Sequence, residues 1–200
     1  MKYEIFISQK PVDGKSIKEI KGFPVVTPIQ VHGSNVAFID SSKSLVPEAD
    51  AIVTNSKNFW IGVLTADCLP IFLIGDGIVG VVHAGWRGTL KGIVLNTVKY
   101  ILRFSKVEKA ILGISICRNC YEVGEDVYTL FPKEYRGCFS KKGSDKYLFD
   151  LKKANLFQLK SLGVENVEII KGCTVCDNHL FFSYRKERTK KRILSAIRIL

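Results

Sequence analysis

Short apolar runs crowd the first part of this chain: Tyr3–Ser8, Ser34–Asp40, Ala49–Asn55, Phe59–Thr65, Pro70–Ile74 and Ile78–Val82, separated by Gly, Pro, Asn and Asp. Runs of this length and composition read as β-strands punctuated by turns. Several are apolar at every position instead of at alternate ones, which is the pattern of strands covered on both faces. The chain therefore has to supply material for both sides of a sheet.

That material comes later in the sequence. After Thr89, the residues Leu90, Ile93, Val94, Thr97, Val98, Ile101 and Leu102 recur at helical spacing, which predicts one helix capped by Thr89. A further apolar run, Ala110–Ile116, follows it. Together with Ile78–Val82 this predicts a βαβ unit over residues 78–116. Asp150 is positioned to cap a helix at Leu151–Leu162 that Gly163 ends, with a strand at Val167–Ile170 beyond. Gly124–Phe131 reads as a short helix stopped by Pro132, and Arg192–Leu200 as a final strand. No repeat, low-complexity stretch or Gly/Ser/Pro-rich linker divides the chain. The expectation is an α/β (mixed α+β) fold, with residues 1–200 forming a single compact domain with mixed sheets.

Hydrophobic residues make up 46% of the chain, enough for a packed core. No apolar run reaches the ~18 residues that cross a bilayer, and the start MKYEIFISQK has no signal-peptide pattern. The expected location is cytoplasmic, with no membrane partner. In that compartment six cysteines read as metal, catalytic or packing positions before they read as disulfides. A net charge of +11 suits a polyanion, an anionic small substrate or simply a lysine-rich surface. The lysines are scattered apart from the run Arg185–Arg192, and no RNA-recognition, helix-turn-helix or zinc-finger pattern surrounds that run. Nucleic acid is therefore not the expected partner.

Only three histidines occur, and two stand where a strand pattern meets a loop. His32 lies in Ile29-Gln30-Val31-His32-Gly33, before a strand. His83 closes Val79-Gly80-Val81-Val82-His83 and opens the turn Ala84-Gly85-Trp86-Arg87-Gly88. Cys68 follows an apolar run in Thr65-Ala66-Asp67-Cys68-Leu69-Pro70. Strand ends that feed loops are where α/β sheets bind ligands. Two imidazoles and a thiolate are a zinc donor set that leaves the fourth position open, where a bound water has a pKa near 7. They also suit a single copper ion. The plain alternative is two hydrogen-bonded loop histidines and a buried small cysteine.

Several segments resemble, in sequence and order, the YfiH-like family, variously named laccase-domain proteins, polyphenol oxidases, peptidoglycan editing factors and purine nucleoside phosphorylases. They are Gln30-Val31-His32-Gly33, Ala49-Asp50-Ala51-Ile52-Val53-Thr54, Thr65-Ala66-Asp67-Cys68-Leu69-Pro70 and His83-Ala84-Gly85-Trp86-Arg87-Gly88. Cys120-Tyr121-Glu122-Val123-Gly124, Gly172-Cys173-Thr174 and Phe182-Ser183-Tyr184-Arg185 extend the match to the C-terminal part. The resemblance implies a YfiH-like fold and a metal on His32, Cys68 and His83. A multicopper oxidase needs far more imidazoles than three histidines supply, so the resemblance does not imply laccase chemistry here.

It implies instead zinc-dependent phosphorolysis of adenosine, inosine, guanosine or methylthioadenosine, together with adenosine deamination. Nucleoside and phosphate would be the partners. Cys68 and His83 are then catalytic as well as metal ligands. Arg87, at the start of a helix four residues beyond His83, is the candidate phosphate clamp, against the reading of a surface ion pair. Asp67 is a candidate for orienting a ligand or moving a proton, or is a structural turn residue. Arg185 is a candidate substrate contact. Two other functions use the same sequence differently. One is a peptidoglycan-precursor amidase built on Cys68 and His83; the other is a basic binding protein without turnover.

Cys117/Cys120 and Cys173/Cys176 are C-x-x-C pairs, open to a structural four-cysteine zinc site, two disulfides or reduced core thiols. The family pattern departs in two places. Met1–Pro28 lacks the Ser/Thr-Arg-Gly-Gly and Asn-Arg of relatives, and Gly113–Asn119 stands where relatives are rich in Gly and Pro. Both departures are expected to alter the substrate pocket.

Overall fold

Residues Leu69–Gly75 and Ile78–Ala84 are buried without exception, and the fold is built around them. The computed structural model describes residues 1–45 and 48–200. In chain order the elements begin with β1 (Tyr3–Ile7), β2 (Glu19–Ile20), β3 (Phe23–Val26) and β4 (Val36–Phe38). Next come β5 (Ala51–Thr54), β6 (Trp60–Thr65), β7 (Leu69–Gly75) and β8 (Ile78–Ala84). Helices α1 (Trp86–Leu90) and α2 (Ile93–Ile101) lead to β9 (Val107–Leu112), β10 (Glu122–Gly124) and α3 (Glu125–Leu130). The chain ends with β11 (Phe139–Lys141), β12 (Lys146–Phe149), α4 (Leu151–Ser161), β13 (Val167–Ile169), α5 (Tyr184–Glu187) and β14 (Ile193–Ile199).

A six-stranded mixed sheet, β13-β9-β7-β8-β5-β4, lies between two layers. Its strands alternate between two cores, as a pleat requires. Ile71 and Leu73 of β7 pack with Val94 and Val98 of α2 and Leu159 of α4. Phe72 and Ile74 point the other way, onto Ile61 and Val63 of β6 and Ile197 of β14. Those belong to the second sheet, β1-β14-β6-β3-β2. A small sheet, β10-β12-β11, completes the fold beside the helices. The mixed α+β class and the two-sided covering of the apolar strands are as expected.

The βαβ expectation holds with one modification. Both β8 and β9 run antiparallel to β7, so they are parallel to each other with β7 between them. The predicted single helix is two. Gly92 adopts a left-handed conformation (φ 75°) between α1 and α2, a backbone state that glycine enters without steric cost. Thr89 caps nothing. It is buried inside α1 and exchanges hydrogen bonds with Asn155 of α4, at 3.0 and 3.3 Å. Gln158 Nε2 donates to the Thr89 carbonyl at 2.7 Å. Tertiary docking took a residue that local chemistry would spend on a cap. Asp150 does cap α4, accepting from the Lys153 N–H at 2.9 Å. The Ala110–Ile116 run leaves the sheet after Leu112, and Ile116 N–H instead donates to the Asp67 carbonyl.

Phe72, fully buried between the two sheets, reports on this packing. Phe72→Ala is expected to cost ~3–5 kcal/mol, read as a lowered urea midpoint with an unchanged slope. A loss below ~1 kcal/mol would contradict a tight inter-sheet core.

Candidate metal centre

Strand register brings the chemistry together at one end of the six-stranded sheet. β7 and β8 form a hairpin whose tight turn, Asp76-Gly77, lies at the far end. Pro70 pairs with His83 and Leu69 with Ala84. Cys68, one residue before β7, therefore lies beside the end of β8. On the other side β5 pairs antiparallel with β8, and His83 N–H donates to the Asp50 carbonyl at 2.7 Å. β4 runs parallel to β5, so the loop that enters β4, carrying His32, arrives at the same edge. Gln30 pins that loop by acting as a substitute peptide group. Its Nε2 donates to the Leu64 carbonyl at 2.8 Å, and its Oε1 accepts from Leu64 N–H at 2.7 Å.

Asp50 is the hub. Its side chain is completely buried and bonds four groups. His83 Nδ1 lies 2.8 Å from Oδ1. The backbone N–H groups of Val31, His32 and Gly33 donate to the carboxylate at 3.3, 3.0 and 2.6 Å. His32 takes a left-handed φ of 57° in that turn, an uncommon state for a residue with a side chain, and the three N–H bonds hold it there. Burial alone would raise the Asp50 pKa, but the His83 hydrogen bond and the Gly33 N–H outweigh it and leave the carboxylate below its usual range. A carboxylate on Nδ1 turns the Nε2 lone pair of His83 outward, as in carboxylate–histidine–metal arrays.

One donor atom from each of His32, Cys68 and His83 lies within 4.8 Å of the others. The two rings meet edge to face, with centroids 4.7 Å apart. Gly85 keeps the space over them open: a Cβ there would lie 2.9 Å from Cys68 Sγ and 3.4 Å from His32 Cδ2. Burial pushes the Cys68 thiol up, yet the charge of His83 and the hydrogen bond from His32 overcome it and bring its pKa to about 6. His83 responds reciprocally. Burial lowers it, while the Cys68 charge and the Asp50 hydrogen bond raise it to about 9. Cys68 is therefore readied as a thiolate, while His83 keeps its proton until a cation displaces it, and the two-imidazole, one-thiolate set fits zinc.

A cavity of about 550 Å³ opens over the three donors, within the range of ~300–1,000 Å³ usual for small-molecule sites. Trp86, Tyr121 and Tyr184 supply aromatic surface, and Lys15, Arg87, Arg185 and Arg192 supply positive charge. Arg87 is exposed and makes no ion pair among the described residues; its guanidinium stacks 4.3 Å from the Trp86 ring centre. Arg185 donates its side chain to the Glu122 carbonyl at 2.9 Å. Asp67, with a positive φ of 101°, is engaged on both oxygens. Thr174 and Ser183 hydroxyls donate to Oδ1 at 2.6 and 2.7 Å, and Arg185 N–H donates to Oδ2 at 2.6 Å. It ties the loops at residues 174 and 183–185 to the residue beside Cys68. His179, the third histidine, is exposed in a turn outside this group of donors.

Sequence reasoning named the three donors, Asp67, Arg87 and Arg185, and the structure brings all of them to this one cavity. It missed Asp50, Gln30, Tyr121, Lys15 and Arg192. Asp50 left a signal, a lone carboxylate within the apolar run Ala49–Thr54, and Lys15 arrives from the short N-terminal stretch.

A family described as multi-copper polyphenol oxidoreductase laccase matches residues 15–200. The chain belongs to this family. It is 37% identical over 177 residues to a purine nucleoside phosphorylase of Aquifex aeolicus, a match covering 88% of this chain and 83% of that protein. It is 35% identical over 182 residues to adenosine deaminase RL5 from an unknown prokaryotic organism, covering 81% and 70% respectively. The crystal structure of YlmD from Geobacillus stearothermophilus superposes with a TM-score of 0.82 at 31% identity, over 89% of this chain and 76% of that one. The family description speaks of several coppers, but among the described residues the group of donors that contains histidine holds only two of them, short of a multicopper array.

If Asp50 orients His83 and the His32 turn, Asp50→Asn should weaken zinc binding ~10–100-fold, measured by competition with a chromogenic chelator. An unchanged affinity would show that the histidines hold their positions without the charge.

Proposed function

We propose that this protein is a zinc-dependent purine nucleoside phosphorylase that also deaminates adenosine, with cytoplasmic location and nucleoside and phosphate as its small-molecule partners. The observation that carries the reading is the three-donor group at the floor of a cavity whose walls are aromatic and cationic together. The names of the Aquifex aeolicus and RL5 relatives support the two activities. When bound, a zinc ion on His32, Cys68 and His83 supplies a Lewis acid and an activated water.

The chain's own residues supply the rest. Phosphate is dianionic near neutral pH, and Arg87, free of ion pairs among the described residues, offers it a planar fork of donors. α1 has only five residues, so the guanidinium and not a helix dipole does the binding. Arg185, Lys15 and Arg192 add charge around it. Trp86 and Tyr121 present flat faces for a purine ring. In phosphorolysis a phosphate oxygen bonds to the anomeric carbon, the glycosidic bond breaks, and the base leaves with its electrons and gains a proton. In deamination a water oxygen replaces the exocyclic amine, which leaves as ammonia. Asp67, bound on both oxygens, acts as a positioning residue for the cavity wall.

A second reading rests on the array Asp50–His83–Cys68. Without a metal it has the order of a thiol hydrolase, with a cysteine near pKa 6 beside a histidine near 9. An amidase acting on a peptidoglycan precursor would use it, and its activity would survive chelation.

The test is inosine and adenosine with purified, metal-replete protein, with and without phosphate. Phosphate-dependent release of hypoxanthine is expected, and Cys68→Ser should abolish it. Arg87→Ala should raise the KM for phosphate roughly 10–100-fold, the equivalent of one lost charged hydrogen-bonding group. No base released from either nucleoside would overturn the proposal.

A further inference from the structure

Beside the catalytic cavity stands a second group of donors. Cys117 and Cys120 bracket a single turn of 3-10 helix, closed by Cys120 N–H donating to the Cys117 carbonyl. Cys173 and Cys176 bracket a second turn, closed by Asp177 N–H donating to the Cys173 carbonyl at 2.8 Å. The pairs are 56 residues apart in sequence, yet Ser115 and Cys173 bridge as neighbouring strands do. The four sulfurs all lie within 4.8 Å of one another, and Cys120 Sγ is 3.5 Å from Cys176 Sγ. All four thiols are free.

We infer that Cys117, Cys120, Cys173 and Cys176 bind a structural zinc ion as a tetrathiolate, separate from the centre on His32, Cys68 and His83. Four thiolates at ~2.3 Å from a tetrahedral ion lie ~3.8 Å from one another, close to the 3.5 Å between Cys120 and Cys176 and inside the 4.8 Å that bounds all four sulfurs. That edge is too short to enclose a cluster of several iron atoms. Two C-x-x-C turns facing each other are the arrangement of zinc-ribbon knuckles. A backbone N–H points at sulfur as such sites require: Cys117 N–H donates to Cys173 Sγ at 3.2 Å. Cys173 itself is held by the Asp177 carboxylate, which accepts from its N–H at 2.8 Å. The double negative charge of a tetrathiolate centre has cations at hand, since Arg118, Lys152 and Lys153 share a hollow with Cys117. Cys173 is buried and Cys176 exposed, so an ion can reach the site from solvent.

The site's purpose follows from what it joins. Cys117 and Cys120 are flanked by Ile116 and Tyr121, both of which line the catalytic cavity. Cys173 precedes Thr174, whose hydroxyl holds Asp67 next to Cys68. Ile116 N–H bonds the Asp67 carbonyl. The ion would staple two loops that both lean on Asp67, fixing one wall of the cavity without touching substrate.

The experiment separates this site from the first. In a Cys68→Ser/His83→Ala chain the proposed catalytic centre is broken, and about one zinc per chain should remain after dialysis, by elemental analysis. Adding Cys120→Ser and Cys176→Ser should remove it and lower the melting temperature. If that chain does not fold, cobalt decides: Co2+ added to the Cys68→Ser/His83→Ala protein should show the intense thiolate charge-transfer and tetrahedral d–d bands of a four-sulfur site. A Cys68→Ser/His83→Ala chain that holds no zinc, holds iron in its place, or shows no four-sulfur cobalt spectrum overturns the assignment. So does thiol titration under denaturing, non-reducing conditions in which four cysteines react only after reductant, which would show two disulfides. None of these readouts depends on nucleoside turnover.

Discussion

One buried carboxylate organises the site. Asp50 immediately precedes β5 and has no exposed side-chain surface, and removing a charge from water is costly unless every lone pair is satisfied. Here the satisfaction comes from the parts the chemistry needs: three consecutive N–H groups of the His32 turn and the Nδ1 of His83. The cost of burying the charge therefore becomes a constraint on geometry. Any displacement of either histidine leaves an uncompensated carboxylate behind, which stabilises the arrangement more firmly than the individual bonds would in water.

The scaffold for that carboxylate is the central hairpin. Because β7 and β8 are buried on both faces, a slip of one residue would swap two apolar sets between two filled cores. Register is thus strongly specified, and with it the proximity of Cys68 and His83. The glycine at position 85 completes the device by leaving the donors uncovered. Loops then decide what reaches them. Asp67 gathers the segments around Thr174 and Arg185, so that residues from distant parts of the chain form one wall. The cationic rim also gives part of the chain's net charge of +11 a local meaning, as positive potential concentrated over the three donors.

Where local pattern and packing agreed, the elements were legible. Asp150 before an apolar period does cap α4, and the runs Phe59–Thr65, Pro70–Ile74 and Ile78–Val82 are strands. Where they disagreed, packing prevailed. Thr89 has the chemistry of a cap but lies where α1 meets α4, and a buried hydroxyl is better satisfied by Asn155 than left at a helix end. Strands such as β2, with two residues, and β10, with three, are too short for any periodicity to register. They exist because a neighbouring strand offers free peptide groups.

From residues alone came the strand-rich core, His32, Cys68 and His83 as candidate donors, and a histidine count too low for a multicopper array, since donor identity and histidine count are properties of composition; the family resemblance is what pointed to those three as ligands of one metal. Tertiary structure decided that those donors converge, that Asp50 aims them, and that four cysteines from two distant turns form a second group. The physical reason is that ligand chemistry is written in single residues, whereas proximity depends on strand register and on which buried charges need partners. Neither of those has a local signature in the chain.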